Sequence, residues 1–326
     1  STHLERKEQY GHPLYRPAVD PDEEAKFALV RPGINLDIFD ANRVGPEDTA
    51  IGEKIEAAIR RDIAPRRWHL PCVIASSRLE AKKNHLGLLR AWAVDERLRH
   101  AANLLLVVRG CDQPLIEWRK KLTGTEREVF GRLMQEILTH HLSGMVCAFE
   151  LGTQQALAAA YRYLAAQKQG VFALTAFYEP FGLAPLEALA AGLPAVVTRN
   201  GGPAETLRND QGQPIVLLVD PENPKDIASA LVQLTTCSEV WEKFRRLGRE
   251  HVLSHYSWEA TARGYLAVCE QILAGRTAAR TDYPIPAFFE NPTEPEAQIP
   301  VDWISHYVQA AASKSHGPGG KTERGA

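Results

Sequence analysis

Residues 171–188 of this chain read VFALTAFYEPFGLAPLEA. The first four residues are apolar without interruption, which is typical of a short strand that is buried on both faces of a parallel sheet. Gly182 allows a close turn, and Pro185 fits the first turn of a helix, where its missing N–H is not required. The stretch therefore predicts a strand, a loop and a helix, which is the unit that builds α/β folds.

Short apolar runs of the same kind recur along the chain. They predict strands at residues 27–30, 72–75, 104–108, 145–149, 171–174, 195–198 and 215–219. Apolar residues at helical spacing predict helices at residues 84–99, 113–141, 155–167, 185–191, 225–234, 240–255 and 258–273. This alternation predicts an α/β fold with a doubly wound, Rossmann-like parallel sheet.

The composition is that of a globular protein with about one or two domains. The 326 residues include 38 Lys plus Arg against 40 Asp plus Glu, which gives a net charge of −2. The chain has no positive field to attract nucleic acid, and no apolar run approaches the ~20 residues that a membrane helix needs. We therefore expect a cytoplasmic protein that binds neither nucleic acid nor a membrane. The five cysteines are scattered, and we interpret them as reduced packing residues.

The two ends of the chain differ from its middle. Residues 1–26 are polar, and residues 276–326 are rich first in proline and then in glycine, lysine and serine. We predict that this C-terminal tail is largely disordered, with one short amphipathic helix at residues 301–312. Two interpretations of that helix are open: it docks on its own domain, or it contacts another domain. The start at Ser1, without a methionine, predicts a fragment or a processed chain.

The loop within the quoted stretch holds the richest set of candidate ligand-binding groups, because doubly wound sheets bind ligands at the carboxyl ends of their strands. The free amides of Gly182, Leu183 and Ala184 would face outward at the positive end of a helix, which suits a phosphate. Glu179 and Glu187 flank this anion site and would accept hydrogen bonds from the hydroxyl groups of a sugar. The alternative is a capped helix with Glu187 in its favourable first turn.

Two further loops carry polar groups directly after predicted strands. Arg78 and Lys83 follow the second predicted strand, and together they would hold a diphosphate, the arginine through two hydrogen bonds and the lysine as a point charge. The alternative is a solvated basic loop. Gly201 and Gly202 follow the sixth predicted strand and would present backbone amides, with an ordinary turn as the alternative.

Together these groups resemble the donor-binding, C-terminal half of retaining GT-B glycosyltransferases of the family 4 type, in the group that includes sucrose-phosphate synthase and sucrose synthase. The resemblance is carried by SRLEAKKN at residues 77–84, EPFGLAPLE at residues 179–187 and NGGP at residues 200–203. It covers about residues 1–273. It implies that the predicted sheet is the GT-B C-terminal domain.

The resemblance also implies roles for the matching residues. Arg78 and Lys83 would hold the donor diphosphate and stabilise the leaving group, and Glu179 would face hydroxyls of the donor sugar, so these three are the expected catalytic residues. Glu187 would bind the ribose. The other expected donor-binding residues are Gly182, Leu183, Ala184, Gly201, Gly202, Gln154 and Leu157.

The nucleotide base is expected near residues 149–157, although the stretch that follows Gln154 and Gln155 is rich in alanine where the family carries more polar residues. No metal or other cofactor is expected, because cations and amides supply the electrostatic stabilisation. We interpret Asp20 and Asp22 as part of a solvated acidic loop. His85 is expected on the surface at the start of a helix.

The implied function is retaining transfer of a hexose from a nucleotide sugar to a sugar-phosphate acceptor such as fructose 6-phosphate. UDP-glucose is the first candidate for the nucleotide sugar. The alternative is a catalytically incomplete nucleotide-sugar-binding module. Residues 1–26 are expected to link to a missing N-terminal domain and residues 27–275 to bind the nucleotide sugar, while a second domain or chain supplies the acceptor site. A nicotinamide enzyme is disfavoured, since no Gly-x-Gly-x-x-Gly follows a predicted strand.

Overall fold

The computed structural model describes residues 2–12, 20–23, 27–110, 112–115, 117 and 122–275. Within these residues six strands form one parallel sheet in the order β3-β2-β1-β4-β5-β6. The strands are β1 Cys72–Ala75, β2 Asn103–Val107, β3 Val146–Phe149, β4 Val171–Leu174, β5 Ala195–Thr198 and β6 Leu217–Val219. The predicted doubly wound α/β fold is confirmed, and six of the seven predicted strands are present.

Helices connect the strands of the sheet, and others precede β1 or follow β6. They are α1 His3–Tyr10, α2 Leu36–Phe39, α3 Asp48–Asp62, α4 His85–Val94, α5 Glu96–Ala101, α6 Gly124–Thr139, α7 Gln154–Gln167, α8 Leu183–Ala190, α9 Pro203–Thr206, α10 Pro224–Thr236, α11 Ser238–His255 and α12 Trp258–Leu273. The bounds of α7, α8, α10 and α11 lie close to the predicted ones, and both bounds of α12 are as predicted.

Consecutive strand residues are buried because each face of the sheet has its own apolar core. Ile74 and Phe172 point into one core, whereas Val73 and Val171, their neighbours along the strands, point into the other. Side chains of a strand alternate between the two faces, so a strand covered on both sides is apolar at every position. This is why β1 to β5 are short and almost entirely apolar in the sequence, with buried Asn103 and Thr198 as the exceptions.

The predicted strand at residues 27–30 is wrong. Those residues pair with no strand among the residues that the structure describes, and Ala28 and Leu29 are exposed. The predicted helix at residues 84–99 is two helices, because Asp95 adopts an extended backbone and its side chain accepts the Arg97 amide, which starts α5. Within the predicted helix at residues 113–141, α6 spans Gly124–Thr139, and residues 116 and 118–121 lie outside the described residues.

Helix α3 has no counterpart among the predicted helices. The signal was present, since Ile51, Ile55 and Ile59 recur every fourth residue, and the last two are fully buried.

The chain divides into two compact units. One contains residues 1–5 and 29–269, and therefore the whole sheet; the other contains residues 6–28 and 270–326. Within the second unit, the Arg6 guanidinium and the Tyr10 ring each lie 5.2 Å from the centre of the Phe27 ring. The predicted helix at 301–312 lies outside the described residues, and the predicted domain bounds stay a prediction. No helix in the described ranges could cross a membrane.

Candidate functional site

The candidate site lies at the carboxyl edge of the sheet, where β1 and β4 are neighbours. The strand order reverses between these two strands, and such switch points open a crevice for ligands. The loops that follow β1, β4 and β5 meet here. The Phe177 amide donates to the Lys82 carbonyl, and the Asn200 side chain donates to the Phe177 carbonyl, each at 3.0 Å. The three predicted groups therefore lie together.

Asn84 fixes the loop after β1. It adopts a left-handed backbone conformation, and its Oδ1 accepts the Gly87 amide at 3.0 Å, which caps α4. Its Nδ2 donates to the carbonyls of Thr175 at 3.0 Å and Pro221 at 2.7 Å. One buried side chain thus joins the loops after β1, β4 and β6.

Lys83 and Glu179 form an ion pair in the crevice. Lys83 Nζ lies 2.8 Å from Glu179 Oε2, and the two side chains are 19% and 15% exposed. These residues are 96 positions apart, and both were predicted as catalytic from separate motifs. The structure brings them into direct contact, where each keeps an edge open to solvent.

Arg78 lies at the rim of the same edge. Its side chain is 75% exposed and its Nη1 is 2.8 Å from Glu80 Oε1. It also lines a cavity of about 590 Å³ at the carboxyl ends of β1, β2 and β3. A long exposed arginine beside a cavity is free to reorient toward a ligand.

The start of α8 is an open helix end. Gly182 precedes the helix with φ 96° and ψ 43°, and no side chain caps it. The amides of Gly182, Leu183 and Ala184 have no acceptor in the part of the chain that the structure describes. The first amides of a helix lack partners within it and carry partial positive charge. The predicted anion site is thus geometrically available, next to Glu179.

Glu187 lies one turn inside α8 and is half-buried. Burial raises its pKa to about 7. Burial also raises the pKa of Tyr161, and the Glu187 charge raises it further. The Tyr161 hydroxyl lies 2.6 Å from Ser76 Oγ at the end of β1. No described residue donates a hydrogen bond to the Glu187 carboxylate, which leaves it available to a ligand.

Gly201 and Gly202 allow two loops to touch. The Gly202 amide donates to the Glu179 carbonyl at 2.9 Å, and the Glu179 amide donates to the Asn200 carbonyl at 3.2 Å. A Cβ on Gly201 would lie 2.2 Å from the Glu179 carbonyl oxygen, and one on Gly202 would lie 2.2 Å from that of Pro180. The Gly202 amide is therefore bonded within the protein and not free as expected, and donor binding by Gly201 and Gly202 stays a prediction.

The stretch expected near the base, residues 149–157, lies only partly at the cavity of about 590 Å³. Gln154 is exposed at the first position of α7, and Leu157 packs partly against the core. Neither lines the cavity of about 590 Å³, whereas their upstream neighbours do. Its lining from the loops after β2 and β3 includes Val108, Arg109, Glu150, Leu151 and Gly152. The rule that selected the other loops, position after a strand, would have found these residues.

His85 is buried, not on the surface as expected. It is 2% exposed, and its Nε2 lies 3.1 Å from Ser77 Oγ. Burial lowers its pKa to about 4, so the imidazole stays neutral at pH 7. The ring thus supports the turn that leads to Arg78.

A doubly wound sheet with an open helix end and polar loops at its switch point defines a Rossmann-like, ligand-binding α/β domain. A family model described as "Glycosyl transferases group 1" matches residues 60–251. The chain belongs to this family of glycosyltransferases. The resemblance that the sequence motifs predicted is confirmed.

Relatives that match most of the chain are sucrose-phosphate synthases. A probable sucrose-phosphate synthase 2 from Craterostigma plantagineum is 31% identical over 80% of this chain and 24% of its own length. A probable sucrose-phosphate synthase 4 from Oryza sativa subsp. japonica is 34% identical over 77% of this chain and 22% of its own length. The chain thus spans about a quarter of the length of these relatives.

Solved structures share the fold. The sucrose-phosphate synthase from Thermosynechococcus elongatus superposes with a TM-score of 0.58 at 23% identity, over 83% of this chain and 57% of its own. Anabaena HepE in complex with UDP and glucose gives 0.54 at 16% identity, over 74% of this chain and 55% of its own. The C-terminal domain of a group 1 glycosyltransferase (LpcC) from Francisella tularensis gives 0.51 at 17% identity and is covered in full, with 69% of this chain.

Proposed function

We propose that this chain binds a nucleotide sugar, with UDP-glucose as the first candidate, and serves retaining transfer of its hexose to a sugar phosphate such as fructose 6-phosphate. The observation that carries the proposal is the Lys83–Glu179 pair beside the open start of α8, with Glu187 one turn further on. This arrangement offers a cation, free amides and two carboxylates within one crevice. The likeness to HepE, which was crystallised with UDP and glucose, supports the choice of donor.

The donor diphosphate would occupy the anion site at the start of α8. When the bond between the hexose and the phosphate breaks, negative charge develops on the departing diphosphate. Lys83 and the amides of Leu183 and Ala184 would stabilise that charge, and Arg78 would join them once it turns from Glu80 toward the ligand. No metal takes part in this scheme.

The two carboxylates would hold the sugars. Glu179 accepts hydrogen bonds from hydroxyls of the hexose, and Glu187 accepts them from the ribose. A half-buried carboxylate without a donor gains more from such bonds than a solvated one does. The base would enter the cavity of about 590 Å³, toward Arg109 and Glu150.

A second candidate function is nucleotide-sugar binding without transfer. It is favoured by one observation, which is the place of the donor groups in the sheet. The donor groups described above all come from loops at one edge of one sheet. Under this second candidate function, a second domain or chain supplies the acceptor site, and this chain contributes donor binding.

The proposed function is tested by titrating UDP and UDP-glucose against the chain by calorimetry. We expect Glu187→Ala and Arg78→Ala each to weaken UDP binding more than about tenfold, or ~1.4 kcal/mol. Glu250→Ala, at an exposed position of α11, is the matched control for Glu187→Ala. Arg97→Ala is the control for Arg78→Ala, because the Arg97 side chain is 68% exposed and paired with Asp95 as Arg78 is with Glu80. Unchanged affinity in both site variants would place the nucleotide elsewhere.

A further inference from the structure

Thr206, the last residue of α9, connects the end of α11 with the loop that precedes α8. Its carbonyl accepts hydrogen bonds from His251 Nε2 and from the Tyr256 hydroxyl, each at 3.0 Å. Its hydroxyl donates to the Phe181 carbonyl at 3.0 Å, and its amide donates to the Gly202 carbonyl at 2.8 Å. Thr206 is 5% exposed, so its polar groups are all used inside the protein.

The two kinds of contact have different explanations. The bonds to the Thr206 carbonyl satisfy the end of a short helix, whose last C=O groups lack partners within it. The hydroxyl bond has no such explanation, because it reaches 25 residues back to another loop. Phe181 directly precedes Gly182, whose φ of 96° sets the direction in which α8 begins. The Thr206 hydroxyl therefore holds Phe181 in place, directly before the turn at which α8 and its unpaired amides begin.

The same turn is held from a second side. The rings of Phe181 and Tyr256 meet edge to face with their centres 6.1 Å apart. A Cβ built on Gly182 would lie 3.3 Å from Pro203 Cγ and 3.8 Å from Thr206 Oγ1, so α9 packs directly against the turn. A shift of α9 or of the end of α11 would therefore move the start of α8.

We propose that Thr206 is a positioning residue of the donor site, whose hydroxyl holds the turn at Phe181 and Gly182 so that the α8 amides face the diphosphate. This inference rests on the proposed function, since the diphosphate belongs to it. Thr206 acts on the diphosphate and not on the nucleoside, which other groups hold. Loss of its hydroxyl therefore weakens diphosphate binding selectively, whereas a purely structural role would lower stability without that selectivity.

The test compares UDP and UMP binding by calorimetry in the full chain, with melting temperatures recorded in parallel. Thr206→Val keeps the shape of the side chain and removes the hydroxyl, and Thr206→Ser restores the hydroxyl. Thr235→Val is the matched control: Thr235 is also 5% exposed, and its hydroxyl donates to the Leu231 carbonyl at 2.8 Å within its own helix.

We expect Thr206→Val to bind UDP at least fivefold more weakly, with UMP affinity within twofold of the original chain, and Thr206→Ser to bind both as the original does. Thr235→Val keeps both affinities. A Thr206→Val variant that binds UDP as well as Thr235→Val does, or that loses UDP and UMP affinity in parallel, would overturn the positioning role. Absence of UDP binding by the unaltered chain would instead overturn the proposed function. If Thr206→Val does not fold, Thr206→Ala, which also removes the hydroxyl that bonds Phe181, is judged by the same criteria.

Discussion

At the scale of single residues, Glu187 is a carboxyl group whose surroundings oppose its ionisation. Burial raises its pKa to about 7, and the described residues offer it no hydrogen-bond donor. A ligand that brings hydroxyl donors stabilises the ionised form, because hydrogen bonds to a charged acceptor are stronger than those to a neutral one. Binding of a ribose is therefore expected to lower the pKa of Glu187 and to release a proton near neutral pH.

The raised pKa of Glu187 predicts a pH dependence of stability. The folded chain holds this proton up to about pH 7, whereas the unfolded chain releases it near the ordinary value of 4.5, so the free energy of unfolding falls as the pH rises between these values. Glu187→Gln avoids this loss of stability, because glutamine has no proton to release. We expect the variant to be more stable than the original chain by roughly 2–3 kcal/mol at pH 8 and equally stable at pH 4.5.

Urea unfolding at pH 4.5, 6 and 8 measures this difference, and Glu250→Gln serves as the exposed control. A difference between Glu187→Gln and the original chain that does not change with pH would contradict the prediction.

Single residues also show what sequence alone can reveal. Motif and position after a strand predicted that Lys83 and Glu179 share a crevice, because parallel strands end at one edge. The same reasoning misjudged His85, since a residue at the start of a helix is ordinarily exposed, whereas this ring is buried and bonded to Ser77. The hydrogen bond from the Gly202 amide to the Glu179 carbonyl could not be predicted from the sequence either, because it depends on the distance between two loops.

At the scale of elements, the contact between the loops after β4 and β5 predicts that Gly202 tolerates no side chain. A Cβ at this position would meet the Pro180 carbonyl oxygen at 2.2 Å and the Phe181 Cα at 2.6 Å. Both atoms belong to backbone, so the loops must separate. We expect Gly202→Ala to lower the free energy of unfolding by more than about 2 kcal/mol and to abolish detectable UDP binding.

Gly212→Ala is the control, because Gly212 has φ 74° with open space around its Cβ position. It should lose only about 1 kcal/mol through backbone strain and keep its affinity for UDP. Equal effects of the two variants on urea unfolding would show that the loop contact does not matter.

The hydrogen bonds of Asn84 predict that this one side chain stabilises the carboxyl edge of the sheet. Asn84→Ala removes a helix cap and two hydrogen bonds to buried carbonyls, so we expect a loss of roughly 2–4 kcal/mol in urea unfolding. Asn223 caps α10 through the Lys225 and Asp226 amides alone, and Asn223→Ala should lose about 1 kcal/mol. A loss no greater for Asn84→Ala than for Asn223→Ala would mean that the links between loops contribute nothing.

Element prediction succeeded where burial on both sheet faces leaves an uninterrupted apolar run, as in Val171–Leu174. It failed at residues 27–30, which have the same local pattern but no neighbouring strand, because pairing is not a local property. It also failed where a polar residue divides a helix, since Asp95 caps the next helix instead of continuing the first. Patterns thus identified strands well and the ends of helices less well.

At the scale of the whole molecule, the groups proposed to bind the donor lie on one edge of one sheet, and the proposed transfer would also need an acceptor held opposite them. We expect the isolated chain to bind UDP-glucose but to form sucrose 6-phosphate from fructose 6-phosphate only very slowly. Product formation measured at saturating donor, with UDP affinity recorded on the same sample, checks this. Turnover at an ordinary enzymatic rate, about 1 per second or faster, would show that no further domain or chain is required.

The Lys83–Glu179 pair has a consequence for which anions the crevice accepts. The Lys83 ammonium is already neutralised by Glu179. Inorganic phosphate on its own would therefore have to displace the Glu179 carboxylate and leave it without a partner. A sugar joined to a phosphate offers both members a replacement at once, an anionic oxygen for the ammonium and a hydroxyl for the carboxylate. Under the proposed function, this ion pair would therefore disfavour small anions that carry no hydroxyl group, and favour a sugar that is joined to a phosphate.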